Sequence, residues 1–365
     1  MKILFVLENH YPNIGGVETL FKSLTESLVN EGYEVTILTN QYDKNLLRNE
    51  TLNGVKIIRV PFYNRYLFTI LAFFPAFRLA LRHDLIHTTS YNAGLPAFFA
   101  GLLSGTKVII TFHEVWGKLW FRLPYIGKIS SRLHFLFEQF LVKLPFTHFV
   151  AVSDATKKRL LESGVSEQKV TRIYNGIDYS KMPHVSHSDN KNKDFTFIYF
   201  GRLGISKGLD LLLKASQIIR EKGKAFKLQL VIPLEPNKFH NEIISTINKY
   251  ELSQHIDIKS ELPYAVLSQL VADSDAVVIP SYSEGFGFTA VESMALERPI
   301  LSSGKGSLQE IVTGRHLTMP THTPLGLAEI MEKAMRNDWD ETLSKKFHLK
   351  DSIIAYSQLY NTLIG

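Results

Sequence analysis

Residues 276–297 read AVVIPSYSEGFGFTAVESMALE. An apolar run, Ala276 to Pro280, enters a Ser/Gly loop, and the loop enters a segment with helical spacing. Strand, glycine loop and helix is the layout that seats an anion at a helix N-terminus, where free N–H groups and the positive end of the dipole point outward. Gly285 and Gly287, beside Phe286 and Phe288, let the backbone approach a ligand closely. Glu284 and Glu292 flank the loop–helix junction with seven residues between them. With a helix over 287–292, Glu292 lies roughly 8 Å further along the axis than Gly287. A ligand with hydroxyls at both ends and phosphates between fits that frame, as a nucleotide-sugar does. The plainer reading is a strand-to-helix turn with two surface carboxylates.

Working outward, the stretch 195–215 reads FTFIYFGRLGISKGLDLLLKA. It is a strand, a glycine turn carrying Arg202 and Lys207 five residues apart, and a helix. Most Arg and Lys are solvated surface charge. These two sit at the C-terminal edge of a strand, where α/β ligands bind, and a forked Arg with a point-charge Lys suits a diphosphate. Gly15-Gly16 follows the first strand and opens a helix. It lacks the spaced glycines of a dinucleotide site and the Walker Lys, so alone it is a tight turn. His113 ends the strand KVIITFH and precedes Glu114. A lone His is more often structural, but this one faces the ligand edge of a parallel sheet. His10 and His87 have weaker claims, with no local partner.

Several of these segments resemble the retaining glycosyltransferases of family 4, which have the GT-B fold. Glu284, Gly285, Phe286, Gly287 and Glu292 match the family's Glu-x7-Glu pattern with its Gly-Phe-Gly. Pro12, Gly15, Gly16 and Glu18 match its Pro-x-x-Gly-Gly-x-Glu opening, and Arg202 and Lys207 its Gly-Arg-Leu-x-x-x-Lys-Gly. His113 matches the His of Thr-x-His-Asp, with Glu114 in place of the Asp. Residues 233–238, PLEPNK, stand where the family has Gly-x-Gly, and Gln309 replaces the Pro of Pro-Glu-Ile-Val.

The resemblance implies an α/β protein of two doubly wound Rossmann-like domains facing across a cleft, with a C-terminal helix crossing back to the first. It implies domains at 1–183 for the acceptor and 195–345 for the donor, a linker at 184–194 and a terminal helix at 346–365. It implies transfer of a hexosyl unit from a UDP- or GDP-sugar to a glycan or lipid-linked glycan, as in surface polysaccharide assembly. The donor contacts it implies are Gly15, Gly16, Arg202, Lys207, Glu284, Gly285, Phe286, Gly287, Phe288 and Glu292. Arg202 and Lys207 would neutralise the diphosphate, Glu292 accept from the ribose, Glu284 position sugar hydroxyls, and His113 lie near the reacting carbon. No carboxylate pair can be assigned as nucleophile and acid/base in the manner of a glycosidase. Two other classes stay open: a nucleotide-sugar isomerase on the same fold, such as a UDP-N-acetylglucosamine 2-epimerase, and a non-catalytic sugar-binding scaffold.

The 365 residues suffice for two domains, and alternating strands and helices predict parallel sheets with crossovers. There is no cysteine, which removes disulfides and thiol chemistry and fits a reducing compartment. The apolar start ILFVL is too short for a secretory core, and no apolar run reaches a membrane-spanning length. A cytoplasmic location is therefore expected. The first 180 residues carry 20 Lys and Arg against 14 Asp and Glu, while the rest carry 21 of each. Residues 61–83 and 116–146 mix aromatic and basic side chains at helical spacing. They read either as buried crossover helices or as interfacial helices, which would put the protein in peripheral contact with an anionic membrane on its inner face. Pro75 is expected to kink or split the first of these helices. Asp273-Ser274-Asp275 spells a D-x-D metal motif, but at the N-terminal end of a strand, away from the ligand edge. No obligatory metal, no further cofactor and no nucleic-acid partner are expected.

Overall fold

The computed structural model describes residues 1–13, 15–186, 194–233, 238–260 and 262–365. Two stretches singled out above, most of the 184–194 linker and most of PLEPNK, lie outside the described residues. The chain divides into two compact units. The first comprises Met1–Phe121, Lys128–Ile177 and Phe347–Gly365, and the second Arg122–Gly127 and Asp178–Lys346.

The first unit runs β1 (Lys2–Leu7), α1 (Gly16–Asn30), β2 (Glu34–Asn40), β3 (Asn49–Leu52), β4 (Val55–Val60), α2 (Arg65–Leu71), α3 (Phe73–Ala80), β5 (Leu85–Thr89), α4 (Gly94–Ser104), β6 (Lys107–Phe112), α5 (Lys128–Lys143), β7 (His148–Ala151), α6 (Asp154–Glu162) and β8 (Val170–Arg172). Its sheet has the order β3-β4-β2-β1-β5-β6-β7-β8 and is parallel except for the edge pair β3–β4. β1 pairs Ile3 with Val35 on one side and with Leu85 on the other. Its five apolar residues after Lys2 are all buried because helices cover both faces of the sheet.

The edge pair departs from the expected strand–helix alternation. Asn53 and Gly54, both with positive φ (51° and 82°), make the two-residue turn that the strand twist favours, and NETL folds back on VKIIRV. The helix with Pro75 is split, but the break falls at Ala72. Pro75 then sits in the first turn of α3, where its missing N–H breaks no helical bond. Ser153 caps α6 by accepting from Thr156 N at 3.1 Å.

The second unit runs β9 (Phe195–Phe200), α7 (Leu209–Glu221), β10 (Phe226–Val231), α8 (Lys238–Lys249), β11 (Ile256–Lys259), α9 (Tyr264–Ala272), β12 (Ala276–Ile279), α10 (Phe288–Ala295), β13 (Ile300–Ser302), α11 (Leu308–Ile311), β14 (Arg315–Thr318), α12 (Pro324–Met335) and β15 (Asp340–Glu341). Its order is β11-β10-β9-β12-β13-β14-β15, parallel apart from the short β15. The strand order reverses between β9 and β12, so the loops after these two strands open on the topological switch point, where doubly wound sheets hold ligands. The last helix, α13 (Leu349–Ile364), belongs to the first unit and packs Ile353, Tyr356 and Tyr360 with α1 on one face of that sheet. Helices α2 to α6 cover the other face. Among the described residues no helix is long and apolar enough to cross a membrane.

Candidate active site

Three loops of the second unit meet at its switch point. The loop 280–287 leaves β12, and two glycines hold it. Gly208, at φ +71°, lies so close to Pro280 that a Cβ there would come within 2.2 Å of the Pro280 carbonyl oxygen. Gly306, at φ +63°, would meet the Glu284 carbonyl oxygen at the same distance. Backbone bonds fix the same contacts: Tyr282 N donates to Ser206 O (2.7 Å), and Ser307 N to Glu284 O (2.9 Å). Only glycine combines that backbone angle with that clearance.

The framework brings Lys207 and Glu284 together. Lys207 Nζ donates to both carboxylate oxygens at 2.8 and 2.9 Å, and Ser281 Oγ donates to Oε1 at 2.7 Å. Glu284 is largely covered and Lys207 less so, with 12% and 26% of their side chains exposed. This cluster lies at the mouth of α10: the Glu284 Cβ is 4.0 Å from where a Cβ of Gly287 would be. Gly287 takes φ +85° and caps the helix with no side-chain bond. Phe286 is buried, its ring edge-on to Phe288 at 5.2 Å.

Glu292 lies on α10, one turn and a half in from its start. Burial pushes its carboxyl up to about 7. Among the described residues no hydrogen bond or ion pair reaches that carboxylate. Arg202 follows Gly201 at the end of β9, is exposed, and forms no ion pair among the described residues. Arg202 and Lys207 thus share a loop, but the structure ties Lys207 to Glu284 and leaves the guanidinium in solvent.

Sequence reading missed part of this site. Tyr282 donates to Asp210 (2.7 Å), and His322 lies edge-on to Tyr282 at 4.9 Å with Nε2 3.2 Å from Pro280 O. Asp210 lies in the first turn of α7, while Tyr282 and His322 come from two separate loops, and no local pattern links them. Asp275 of the D-x-D accepts from Thr196 N at 2.7 Å, and Asp273 from Gln269 at 3.1 Å. Among the described residues no group of three or more His, Asp or Glu could hold a metal ion.

In the first unit, His113 follows β6, half-buried, with its ring edge-on to Phe21 at 6.0 Å. Gly15 precedes α1 in extended backbone, and Gly16 is its first residue. The Glu18 carboxylate lies over Gly15, 2.2 Å from where a Cβ would be, so a chain carboxylate occupies the positive end of α1. His87 is wholly buried: Nδ1 pairs with Tyr360 OH (2.7 Å) and Nε2 with Thr111 Oγ1 (2.8 Å), which binds α13 to the sheet. Glu138 of α5, also unforeseen, is fully buried and accepts from Trp116 N, Gly117 N, Tyr91 OH and Trp120 Nε1 at 2.6–3.3 Å. It gathers the loop that follows His113.

A model of Glycosyltransferase Family 4 matches residues 14–181, and one of Glycosyl transferases group 1 matches residues 184–348. The chain is 22% identical over 346 residues to a phosphatidylinositol N-acetylglucosaminyltransferase subunit of Arabidopsis thaliana, covering 92% of this chain and 74% of that protein. Its fold is similar to that of a sucrose-phosphate synthase from Thermosynechococcus elongatus (TM-score 0.82, 19% identity, 100% and 99% of the two chains). It is also similar to Anabaena HepE, solved in complex with UDP-glucose (TM-score 0.74, 17% identity, 99% and 100%). Two matched models that together span nearly the whole chain, on two parallel α/β sheets, place it: this protein belongs to the family 4 glycosyltransferases of the GT-B fold.

Proposed function

We propose that the protein moves a hexosyl unit from a UDP- or GDP-sugar, with retention at the anomeric carbon, to a glycan or lipid-linked glycan acceptor in surface polysaccharide assembly at the inner face of the cell membrane. The observation that carries this reading is the strand–loop–helix unit 276–295, with Lys207, Ser281 and Glu284 joined at its mouth and Glu292 desolvated below. The two carboxylates serve the two hydroxyl-bearing ends of the donor. Glu292 accepts from the ribose, and Glu284, held by Lys207 and Ser281, accepts from the sugar. The diphosphate lies between them, against the free N–H groups at the start of α10. Lys207 turns part of its charge to the phosphates, and the exposed Arg202 closes on them, so that charge developing on the leaving group meets fixed cations. His113 is proposed to serve the sugar in the same reaction. The departing phosphate oxygen takes the acceptor proton on the face it leaves, and no carboxylate nucleophile is required.

The UDP-glucose complex of the Anabaena neighbour supports the donor class, and the naming of the Arabidopsis relative for phosphatidylinositol supports a lipid-bearing acceptor. The test is incubation with UDP- and GDP-hexoses and lipid-linked saccharides, with the anomeric proton of the product read by NMR. Transfer with an unchanged anomer is expected. An epimerised donor formed with no acceptor present would move the protein to the isomerases.

A further inference from the structure

Helix α5 carries apolar side chains on its outward face as well as on the face that lies on the sheet. Its inward residues include Ser131 and the fully buried Glu138 along with Leu141 and Val142. Its outward residues Ile129, Leu133, Leu136 and Phe140 recur at i, i+4, i+7 and i+11, one continuous stripe that is 50–79% exposed. Neighbouring helices continue the pattern. α4 turns Ala97 and Ala100 inward and leaves Phe99, Leu102 and Leu103 in solvent. α2 and α3 bury Phe68, Ala76 and Ala80 and expose Tyr66, Ile70 and Phe74. All four helices cover the same face of the first unit's sheet, α4 packing against α2 and α3, and Gly94 of α4 lying against Leu141 of α5. These helices thus carry apolar side chains on both faces, where a crossover helix usually turns a polar face to water. Scattered exposed apolar residues need no explanation, but a patch of this extent does.

The charge on the patch is of one sign. Across α2 to α5 the cations are Arg65, which pairs with Glu8, and Arg78, Lys128, Arg132 and Lys143, all exposed, and the one carboxylate on these helices is the buried Glu138. Apolar side chains that bury in the acyl boundary, rimmed by long cationic side chains that reach headgroup phosphates, are what an anionic bilayer surface selects. A protein partner of acidic surface would match the cations but leave the length of the apolar stripe uncovered.

We propose that the outward face of α2–α5 seats the protein on an anionic membrane, with the Ile129–Phe140 stripe immersed among the lipids and Arg132 and Lys143 on headgroup phosphates. The proposal rests on the lipid-linked acceptor only for its purpose, which is to hold the enzyme where such an acceptor resides. Its physical basis is the face itself.

The experiment is co-sedimentation of the intact protein with phosphatidylcholine vesicles, with and without phosphatidylglycerol, at low and high salt. Sedimentation with the anionic vesicles alone, reversed by salt, is expected. Arg132→Glu with Lys143→Glu should weaken it about tenfold or more, and Leu133→Ser with Leu136→Ser at least as much. A UDP thermal shift on the same samples should not change, which also shows that the variants fold. Absence of sedimentation at low salt overturns the proposal, as does equal binding to neutral and anionic vesicles. A wild type that ignores vesicles and forms a dimer dissolved by Leu133→Ser with Leu136→Ser assigns the face to a second copy and also overturns it. Vesicle binding without any nucleotide binding would instead bring down the transfer reading and leave this one standing.

Discussion

Lys207 Nζ donates to both carboxylate oxygens of Glu284, at 2.8 and 2.9 Å, in the place where the donor diphosphate and sugar are proposed to meet. The pair is half-buried, so removing one member strands the other. Lys207→Met or Glu284→Gln alone should lower stability by about 1–3 kcal/mol, below the range for fully buried pairs because solvent still reaches the ammonium. Lys207→Met with Glu284→Gln should recover part of that loss while leaving transfer down by on the order of 100-fold. Urea unfolding and initial rates on the four proteins of the cycle measure both effects, and full recovery of activity in the double variant would remove the pair from the chemistry.

In its proposed role Glu292 should give the donor affinity a pH dependence of defined sign. Its carboxyl titrates at about 7 in the folded chain against about 4.5 unfolded. As pH rises between these values the unfolded chain releases the proton and the folded chain retains it, so this group lowers stability as pH rises and has no effect below 4.5. Glu292→Gln should therefore stabilise the free protein at pH 8 and be neutral near pH 4. Because the ionised form is the one proposed to accept from the ribose, UDP affinity should fall by up to about tenfold per pH unit below 7. The Gln variant should show a flat profile, read by calorimetry from pH 5.5 to 8.

Two glycines separate crowding from backbone angle. Gly306→Ala forces a methyl onto the Glu284 carbonyl at positive φ and should cost about 2–4 kcal/mol, with weakened donor binding. Gly223→Ala, at φ +69° with open space around it, should cost about 1 kcal/mol and leave binding intact. Similar losses in both variants, by thermal unfolding, would show that the 280–287 loop can move aside.

His87 makes the first unit sensitive to acid. Burial, reinforced by the nearby His113, pushes its ring down to about 3, and burial with Arg59 and Lys22 pushes His10 down to about 4. Both are neutral in the folded chain, so the stability they contribute is complete above 6.5 and is lost as pH falls through 6.5 toward those values. The urea midpoint of the first unit should drop between pH 7 and 5, whereas Glu292 acts in the opposite direction on the second. Tyr360→Phe, which removes the bond from His87 to α13, should cost about 1–2 kcal/mol at pH 7.

The fold was legible because its signals are local and repeated. Apolar runs such as KILFVL and AVVI, punctuated by glycines, mark the buried strands of a parallel sheet, and a family resemblance through Glu284–Glu292 points to the GT-B arrangement of such sheets. The β3–β4 hairpin carries its own Asn53-Gly54 signal, but its first strand, NETL, is too polar to stand out as one. The contacts of the candidate site were less legible. That Lys207 spans 77 residues to reach Glu284, or that Tyr282 meets Asp210 and His322, depends on which loops the strand order β9-β12-β13-β14 brings side by side. The aromatic, basic stretches 61–83 and 116–146 were readable as either buried or interfacial. One face of each helix packs on the sheet, and the other stays apolar in solvent.

The proposed nucleotide-sugar site is tested most directly by calorimetric titration of the protein with UDP, GDP and their hexoses, repeated on Lys207→Ala and Glu292→Gln. One nucleotide should bind at a single site, its sugar more tightly, with affinity reduced about tenfold or more in each variant. Heat with none of these ligands, or binding that both variants retain unchanged, would contradict the assignment of residues 276–295 as the nucleotide-sugar site.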